Sequence, residues 1–311
     1  MPHACLAIVF PGQGSQSVGM VKGFAGLPIV EQTFREASAI ADVDYWTMAN
    51  EGPAELQNQT VNTQPLMLVA GVACWRAWRE KGGPMPAYFA GHSLGEYTAL
   101  VASKALRFED ALPTVRLRAQ AMQEAVPEGT GGIAAIVGLD DARLPAVLSE
   151  AAQGDVVEAA NLNSPGQVVV AGHRAAVERA MAVAKAQGAK LVKMLPMSAP
   201  SHCSLMKPAA DRLRERLEAI EIRSPEVPVI HNRFVESFED PARIRTALVE
   251  QLDHPVRWIE TVQWLSAHGV NRFVECGPGG VLAGLVKRVS KEADAVAVTD
   301  SAALEAALKL G

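Results

Sequence analysis

A Gly-x-Ser-x-Gly sequence lies between an apolar segment and a helical pattern in residues 88–100. Gly91 and Gly95 flank Ser93 at the spacing of a nucleophile elbow, a sharp turn from a strand into a helix. Such a turn exposes the serine hydroxyl and directs the free N–H groups of the helix N-terminus to the same place. A serine between glycines also occurs in ordinary strand–helix turns. The apolar strand before it and the helix after it favour the elbow.

The first strand of the chain also ends in a loop that contains glycines. Residues 6–10 form a continuous apolar run, which is typical of a buried parallel strand, and Pro-Gly-Gln-Gly-Ser-Gln follows at residues 11–16. A dinucleotide fingerprint would need its third glycine where Ser17 stands, so the pattern disfavours a Rossmann nucleotide site. A loop of this kind can instead bring the backbone N–H of Gln13 close to a reacting carbonyl group.

One arginine lies on the apolar face of a predicted helix. In the helix predicted over about residues 109–125, Arg118 shares a face with Ala111, Val115 and Met122. An arginine keeps its charge in proteins, so in an apolar place it needs an anionic partner or a path to water. Two partners are open: a core carboxylate in a structural ion pair, or the carboxylate of a substrate, whose shape fits a planar guanidinium.

The order of predicted elements indicates two domains. Proline, glycine and threonine accumulate between residues 127 and 132, and the strands and helices that follow have the βαββαβ order of a ferredoxin-like module. Alternating strands and helices resume after that module. We therefore predict an α/β fold with an α/β-hydrolase-like large domain, built on a parallel sheet, over residues 1–127 and 198–311. A ferredoxin-like small domain over residues 128–197 is inserted into it.

Composition and charge disfavour several classes of protein. The 311 residues carry a net charge of −5 and no basic block, which argues against a general nucleic-acid binder. No apolar run approaches the ~20 residues of a membrane helix, and the first apolar segment does not resemble a signal peptide. The 4 cysteines form no C-x-x-C pair, so we expect reduced thiols in a cytoplasmic protein. None of the 7 histidines is spaced like a metal ligand.

A loop at residues 197–203 contains a single histidine, His202. Lone histidines are more often structural than catalytic, so its residue type alone does not establish a general base. The neighbouring Cys203 suggests a thiol nucleophile, but no elbow surrounds it, and we interpret it as a buried or semi-buried thiol. Residues 277–280, Gly-Pro-Gly-Gly, lack the lysine of a phosphate-binding loop and indicate a tight turn from a strand into a helix.

A series of short motifs runs through the whole chain in a specific order. They are Phe-Pro-Gly-Gln-Gly-Ser-Gln (10–16), Gly-His-Ser-Leu-Gly-Glu (91–96), Arg118 ahead of Met-Gln-Glu-Ala (122–125), Asn-Leu-Asn-Ser-Pro-Gly-Gln (161–167), Pro-Ser-His-Cys (200–203), Gln251 before His-Pro-Val (254–256) and Gly-Pro-Gly (277–279). Each motif is modest by itself, whereas the set in this order is specific. With it, the chain resembles the malonyl-CoA:acyl carrier protein transacylases of type II fatty acid synthesis.

The resemblance implies acyl transfer by a serine and a histidine. Ser93 would be the nucleophile, and His202 would be the base that takes its proton and returns it to the leaving thiolate. In this family a backbone carbonyl, at the position of Gln251, orients the histidine in place of a carboxylate. This agrees with the absence of a convincing third acid among the motifs.

The resemblance also implies how the substrates bind. The backbone N–H groups of Gln13 and Leu94 would hold the oxyanion, and Arg118 would pair with the free carboxylate of the malonyl group. The malonyl group would move from malonyl-CoA to Ser93, and then to the phosphopantetheine thiol of holo acyl carrier protein. No metal or redox cofactor is implied, no nucleic acid or membrane partner is expected, and we expect a monomer.

Other functions share parts of this pattern. A serine esterase or thioesterase would have the same elbow, but its catalytic residues usually follow the order Ser, Asp, His, and it would have no use for Arg118 at the substrate. A malonyl or acyl transferase of a specialised pathway, such as polyketide assembly, would carry the same motifs. A binding module without catalysis would require an unreactive Ser93.

Overall fold

The structure is a computed structural model that describes residues 3–197 and 199–309. Its strands are β1 (His3–Phe10), β2 (Pro86–Gly91), β3 (Gly131–Val137), β4 (Val157–Ser164), β5 (Gln167–His173), β6 (Leu191–Met194), β7 (Val229–Ile230), β8 (Arg272–Cys276) and β9 (Asp294–Val298). Its α-helices are α1 (Pro28–Ala41), α2 (Tyr45–Glu51), α3 (Ala54–Gln57), α4 (Thr60–Glu80), α5 (Gly95–Ala102), α6 (Phe108–Glu124), α7 (Leu144–Ala152), α8 (Arg174–Ala186), α9 (Lys207–Glu218), α10 (Pro241–Glu250), α11 (Trp258–Ala267), α12 (Val281–Val289) and α13 (Ser301–Leu308).

Five strands form a parallel sheet in the order β7-β2-β1-β8-β9. Residues 6–10 of the central strand β1 are buried, as their unbroken apolar run predicts for a strand covered on both faces. Leu6, Ile8 and Phe10 pack into a core that α1, α4, α5 and α6 contribute to, whereas Ala7 and Val9 meet α11 and α12 on the other face. This split follows from the alternation of side chains along a strand.

The other four strands form a separate antiparallel sheet in the order β4-β5-β3-β6. Helices α7 and α8 pack on one face of it, so the elements from β3 to β6 have the predicted βαββαβ order. On the opposite face Ile133 and Val169 cluster with Cys203, the residue after His202. The predicted fold class is therefore confirmed, and the antiparallel sheet packs against the loop that carries the predicted base.

The predicted domain ranges stay predictions. Residues 1, 2, 198, 310 and 311 lie outside the described part of the chain, and Ser198 is the predicted first residue of the second part of the large domain. We keep residues 128–197 as the small domain because the whole antiparallel sheet, from β3 to β6, falls within them.

The sequence patterns did not predict some short elements, namely α2, α3, β7, β9 and α13. The shortest strand, β7, has two residues, and its pairing with β2 alone makes it a strand. Such an element depends on a neighbour that is far away in sequence, so no local sequence pattern predicts it. Among the helices of residues 3–197 and 199–309, none has the length and apolar character to cross a membrane.

Candidate active site

Ser93 lies in the sharp turn between β2 and α5. Its backbone has a φ of 52°, in the left-handed region that side chains other than glycine rarely adopt. The turn needs glycine on both sides of it: a Cβ on Gly91 would lie 1.9 Å from the backbone carbon of Gly95, and a Cβ on Gly95 would lie 2.0 Å from the carbonyl oxygen of Phe10. The backbone N–H of Ser93 donates to Oδ1 of Asn232 at 2.7 Å, which fixes the turn from behind.

The imidazole of His202 joins the serine to a backbone carbonyl. Its Nε2 lies 2.7 Å from Oγ of Ser93, and its Nδ1 lies 2.7 Å from the carbonyl oxygen of Gln251. A carbonyl oxygen only accepts hydrogen bonds, so Nδ1 carries the proton and Nε2 is free to accept the serine hydroxyl. The backbone N–H of His202 donates to the carbonyl of Leu252, which holds the two segments together.

Burial keeps His202 neutral. The side chain is almost fully enclosed, and burial, followed by the positive charge of Arg118, lowers the pKa of His202 to about 3. The hydrogen bond to the carbonyl of Gln251 acts in the opposite direction but is the weaker influence. At neutral pH the imidazole is therefore unprotonated and able to take a proton from Ser93.

Arg118 is buried next to the serine without an acidic partner. Its Nη1 donates to Oε1 of Gln64 at 2.5 Å, and its Nη2 donates to Oε1 of Gln251 at 2.9 Å and to Oγ of Ser93 at 3.2 Å. Among the described residues no carboxylate lies within ion-pair distance of the guanidinium, and its Nε has no hydrogen-bond partner. The structural ion pair that the sequence left open is therefore not formed within residues 3–197 and 199–309.

The predicted oxyanion donors both face the same cavity. Gln13 and Leu94 line a cavity of about 450 Å³ together with Ser93, Arg118 and His202. The backbone N–H groups of Gln13 and Leu94 donate to no other described residue, so both are available to an oxygen in the cavity. The side chain of Gln13 donates to Oγ1 of Thr60 at 3.2 Å, which fixes the loop over α4.

The antiparallel sheet supplies one wall of this cavity. Asn161 and Asn163 on β4 line it, and Oδ1 of Asn163 lies 2.8 Å from Nε2 of His92, the residue before the serine. Burial lowers the pKa of His92, so this imidazole is also neutral. The site thus lies between the two sheets, with the serine contributed by one and polar amides by the other.

A buried polar cluster lies behind the elbow. The carboxylate of Glu96, on the first turn of α5, accepts hydrogen bonds from His231 Nδ1 at 2.7 Å, from the backbone N–H of Asn232 at 3.0 Å and from Nε2 of Gln251 at 2.8 Å. The same Nε2 also donates to the carbonyl oxygen of Ser93 at 3.0 Å. The sequence reasoning missed these contacts, although Glu96 is the last residue of the elbow motif.

The other residues that the sequence singled out are not part of the group formed by Ser93, His202 and Arg118. Cys203 is buried, its Sγ donates to the carbonyl of Pro200 at 3.0 Å, and burial raises the pKa of its thiol to about 12. It is therefore a poor nucleophile. Residues 277–280 form a turn between β8 and α12, as predicted. No group of three or more His, Cys, Asp or Glu residues within the described chain is arranged to hold a metal ion.

Comparisons with known proteins extend over nearly the whole chain. The sequence model of a family described as acyl transferase domain matches residues 7–305. A malonyl CoA-acyl carrier protein transacylase of Salmonella typhimurium is 54% identical over 303 residues, 97% of this chain and 98% of that protein. The crystal structure of an acyl-carrier-protein S-malonyltransferase from Burkholderia pseudomallei has a TM-score of 0.96 at 52% identity and covers 99% of this chain and 100% of that one.

A further solved structure holds a type II PKS acyl-carrier protein in complex with its malonyl-transacylase. It matches with a TM-score of 0.97 at 50% identity and covers 98% of this chain and 99% of the matched one. The antiparallel sheet lies within residues 7–305, which the family model matches.

Proposed function

The chain belongs to the malonyl CoA-acyl carrier protein transacylases of the acyl transferase family, and on that premise we propose how its residues act. It is an acyltransferase that moves the malonyl group from malonyl-CoA to acyl carrier protein through an acyl-serine intermediate. One observation carries the assignment of roles: Ser93, His202 and the carbonyl of Gln251 form a continuous hydrogen-bonded line next to the buried, unpaired charge of Arg118.

The first half-reaction acylates the serine. As Oγ of Ser93 attacks the thioester carbonyl of malonyl-CoA, its proton passes to Nε2 of His202. The carbonyl oxygen becomes an oxyanion, and the free N–H groups of Gln13 and Leu94 are available to stabilise it. The tetrahedral intermediate then expels the thiolate of CoA, which takes the proton back from Nε2.

The second half-reaction runs the same steps toward the carrier. The phosphopantetheine thiol of holo acyl carrier protein gives its proton to Nε2 of His202, and the thiolate attacks the malonyl ester on Ser93. The tetrahedral intermediate then breaks the bond between the carbonyl carbon and Oγ of Ser93, and Oγ takes the proton back from Nε2. The carbonyl of Gln251 keeps the imidazole in position through both halves and accepts the hydrogen bond from Nδ1–H throughout.

Arg118 recognises the carboxylate of the malonyl group. Its described hydrogen-bond partners are the neutral side chains of Gln64, Gln251 and Ser93, and it lies 5.6 Å from the ring centre of Tyr97, so no described anion pairs with its charge. A carboxylate in the cavity gains a charge-assisted hydrogen bond there, whereas an acetyl group gains none. This contact therefore supports selection of malonyl over acetyl.

Hydrolysis by a serine esterase or thioesterase is the alternative from another class of function. It is less well supported because the imidazole of His202 binds a carbonyl rather than an aspartate, and because a charged Arg118 beside Ser93 has no use in hydrolysing a neutral acyl group. We further propose that the protein acts as a monomer in the cytoplasm and supplies fatty acid elongation. Supply of polyketide assembly is a second candidate, because one structural relative is complexed with a type II PKS carrier.

Intact-protein mass measurement tests the proposal. Mixing with malonyl-CoA should add one malonyl group, and the addition should be absent in Ser93→Ala and discharged by holo acyl carrier protein. Loss of the label to water without a carrier would indicate a thioesterase, and a label on Cys203 would overturn the assignment of Ser93. Comparing carriers from fatty acid and polyketide synthesis separates the two pathways.

A further inference from the structure

The side chain of Gln251 lies between two buried groups of opposite charge. Its Oε1 accepts from Nη2 of Arg118 at 2.9 Å, and its Nε2 donates to Oε2 of Glu96 at 2.8 Å. The backbone carbonyl of the same residue binds His202. The carbonyl accounts for the orientation of the base, but it does not require a glutamine side chain, and the proposed mechanism makes no use of the amide.

Glu96 determines which way the amide points. A carboxylate only accepts hydrogen bonds, and the other two donors to Glu96, His231 Nδ1 and the N–H of Asn232, are fixed by the fold. Only the NH₂ end of the Gln251 amide can therefore face Glu96. The oxygen end is left to face Arg118, and a further hydrogen bond from the same NH₂ group to the carbonyl of Ser93 supports this orientation.

The amide thus separates Arg118 from Glu96 by the width of one neutral group. A direct contact between the two would be a buried ion pair, and the guanidinium would then have little charge left for a ligand. Burial lowers the pKa of Arg118, and Tyr97 and then Glu96 act against this effect. With the amide between Arg118 and Glu96, Glu96 accepts no hydrogen bond from the guanidinium. The donors stay with neutral partners that a substrate carboxylate can displace.

We propose that the side chain of Gln251, oriented by Glu96, is a specificity-determining spacer that keeps Arg118 unpaired, so that the enzyme selects acyl groups carrying a free carboxylate. This inference rests on the proposed roles of Ser93 and Arg118. It assigns Gln251 a second role, separate from the backbone carbonyl, and makes Glu96 a positioning residue.

The test replaces the amide by a carboxylate of the same shape. In Gln251→Glu the backbone carbonyl at His202 is retained, but a negative charge stands against Nη2 of Arg118, the proposed partner of the malonyl carboxylate. We expect the malonyl-to-acetyl ratio of acylation rates to fall by about 10- to 100-fold, because like charges placed side by side are strongly unfavourable. Single-turnover acylation from malonyl-CoA and from acetyl-CoA, each followed by intact mass, gives this ratio.

The matched control is Gln251→Met, which removes the amide without adding charge. Both acylation rates should fall in it, because the amide no longer donates to the carbonyl of Ser93 at the elbow, but the ratio should stay within about threefold of the wild type, because Arg118 gains no negative neighbour. A merely structural role would lower both rates alike in both variants. A ratio that is unchanged in Gln251→Glu, or that falls as far in Gln251→Met, overturns the proposal.

A double variant tests the proposal if the carboxyl group introduced in Gln251→Glu shares a proton with Glu96 or prevents folding. Glu96→Gln/Gln251→Glu keeps the total charge and moves the negative charge one group closer to Arg118. We expect the same fall in the malonyl-to-acetyl ratio, and an unchanged ratio in this folded variant also overturns the proposal. Failure of the wild type itself to form a malonyl ester on Ser93 would instead defeat the proposed function.

Discussion

Nη2 of Arg118 lies 3.2 Å from Oγ of Ser93, so the group proposed to recognise the substrate carboxylate also touches the nucleophile. The charge of Arg118 is in addition one of the causes that lower the pKa of His202. A bound malonyl carboxylate would offset that charge and make His202 a stronger base. Recognition and proton transfer are therefore coupled in this site, because one buried cation influences both.

The first prediction concerns the pH dependence of acylation. The pKa of His202 is lowered to about 3, so kcat/KM should stay constant as the pH falls through 6.5, where an ordinary histidine would become protonated. Acetyl-CoA is the appropriate substrate because its acyl group does not titrate. In Arg118→Gln the charge is removed, and the acid limb of the profile should move to higher pH. An acid limb near 6.5 in the wild type would contradict this prediction.

These measurements need short exposures to acid. A histidine whose pKa is lower in the folded state than in the unfolded chain binds its proton more readily after unfolding. His202 therefore contributes its full share of stability above about pH 6.5, and this contribution is lost as the pH falls from there toward 3. Rapid mixing into acid, with acylation stopped within seconds, separates loss of the base from loss of the fold.

The second prediction concerns the base and what orients it. His202→Ala should lower acylation by roughly 10²- to 10⁴-fold, because the serine hydroxyl then has no proton acceptor. The matched control is Asp253→Asn: this nearby carboxylate bonds to His254 rather than to His202, so the loss should be far smaller. Rates come from single-turnover mass measurements. If Asp253→Asn lost as much activity as His202→Ala, a conventional catalytic triad would be present instead.

The third prediction concerns a buried carboxyl group outside the site. Glu275 on β8 is fully buried, and its Oε2 accepts from the N–H of Ala283 at 2.8 Å. Its Oε1 has no hydrogen-bond partner among the described residues, and burial raises its pKa to about 7. The usual pKa of this group is 4.5, and its pKa in the folded state is about 7. Between these two pH values the folded state holds a proton that the unfolded chain releases, so the group destabilises the fold increasingly as the pH rises.

Glu275→Gln should therefore gain stability relative to the wild type as the pH rises through that window. The difference should change by on the order of 2–3 kcal/mol and then become constant. Chemical denaturation of both proteins at several pH values measures it. Glu178→Gln, which changes an exposed glutamate on α8, is the control and should show no such trend. A constant difference for Glu275→Gln would mean that the carboxyl group is not protonated in the folded protein.

Much of the site could be predicted from short sequence patterns. The elbow around Ser93 is a local feature, since its two glycines and the flanking strand and helix all lie within residues 88–100. The βαββαβ order of the small domain could also be predicted, because each of its strands and helices has its own apolar pattern. His202 and Gln251 came only with the family resemblance, because nothing in their local sequence distinguishes them from structural residues.

The partners of Arg118 could not be predicted, because they are distant in sequence. Gln64 is contributed by α4 and Gln251 by the residue after α10, and only the tertiary fold brings both to the guanidinium. The residues alone placed the charge on an apolar face and left a core carboxylate and a substrate carboxylate open, and only the family resemblance favoured the substrate. Glu96 was missed for a related reason, since its three donors come from residues 231, 232 and 251.

The last prediction tests Arg118 directly. Removal of the guanidinium would leave the malonyl carboxylate in a buried place without a partner, and truncating one member of such a pair costs about 2–5 kcal/mol. Because each 1.4 kcal/mol is about tenfold in a rate or equilibrium ratio, Arg118→Ala should lower malonyl transfer by roughly 30- to several-thousand-fold. Acetyl-CoA has no carboxylate, so its slow transfer should be unchanged or improved.

Arg118→Lys should recover only part of the malonyl activity, since an ammonium group cannot contact Gln64, Gln251 and Ser93 from one planar fork. The deciding quantity is the malonyl-to-acetyl ratio, measured in variants whose thermal unfolding shows that they are folded. If Arg118 were only structural, its loss would lower stability and both transfer rates together. An unchanged ratio in a folded Arg118→Ala variant would therefore exclude recognition of the malonyl carboxylate by this residue.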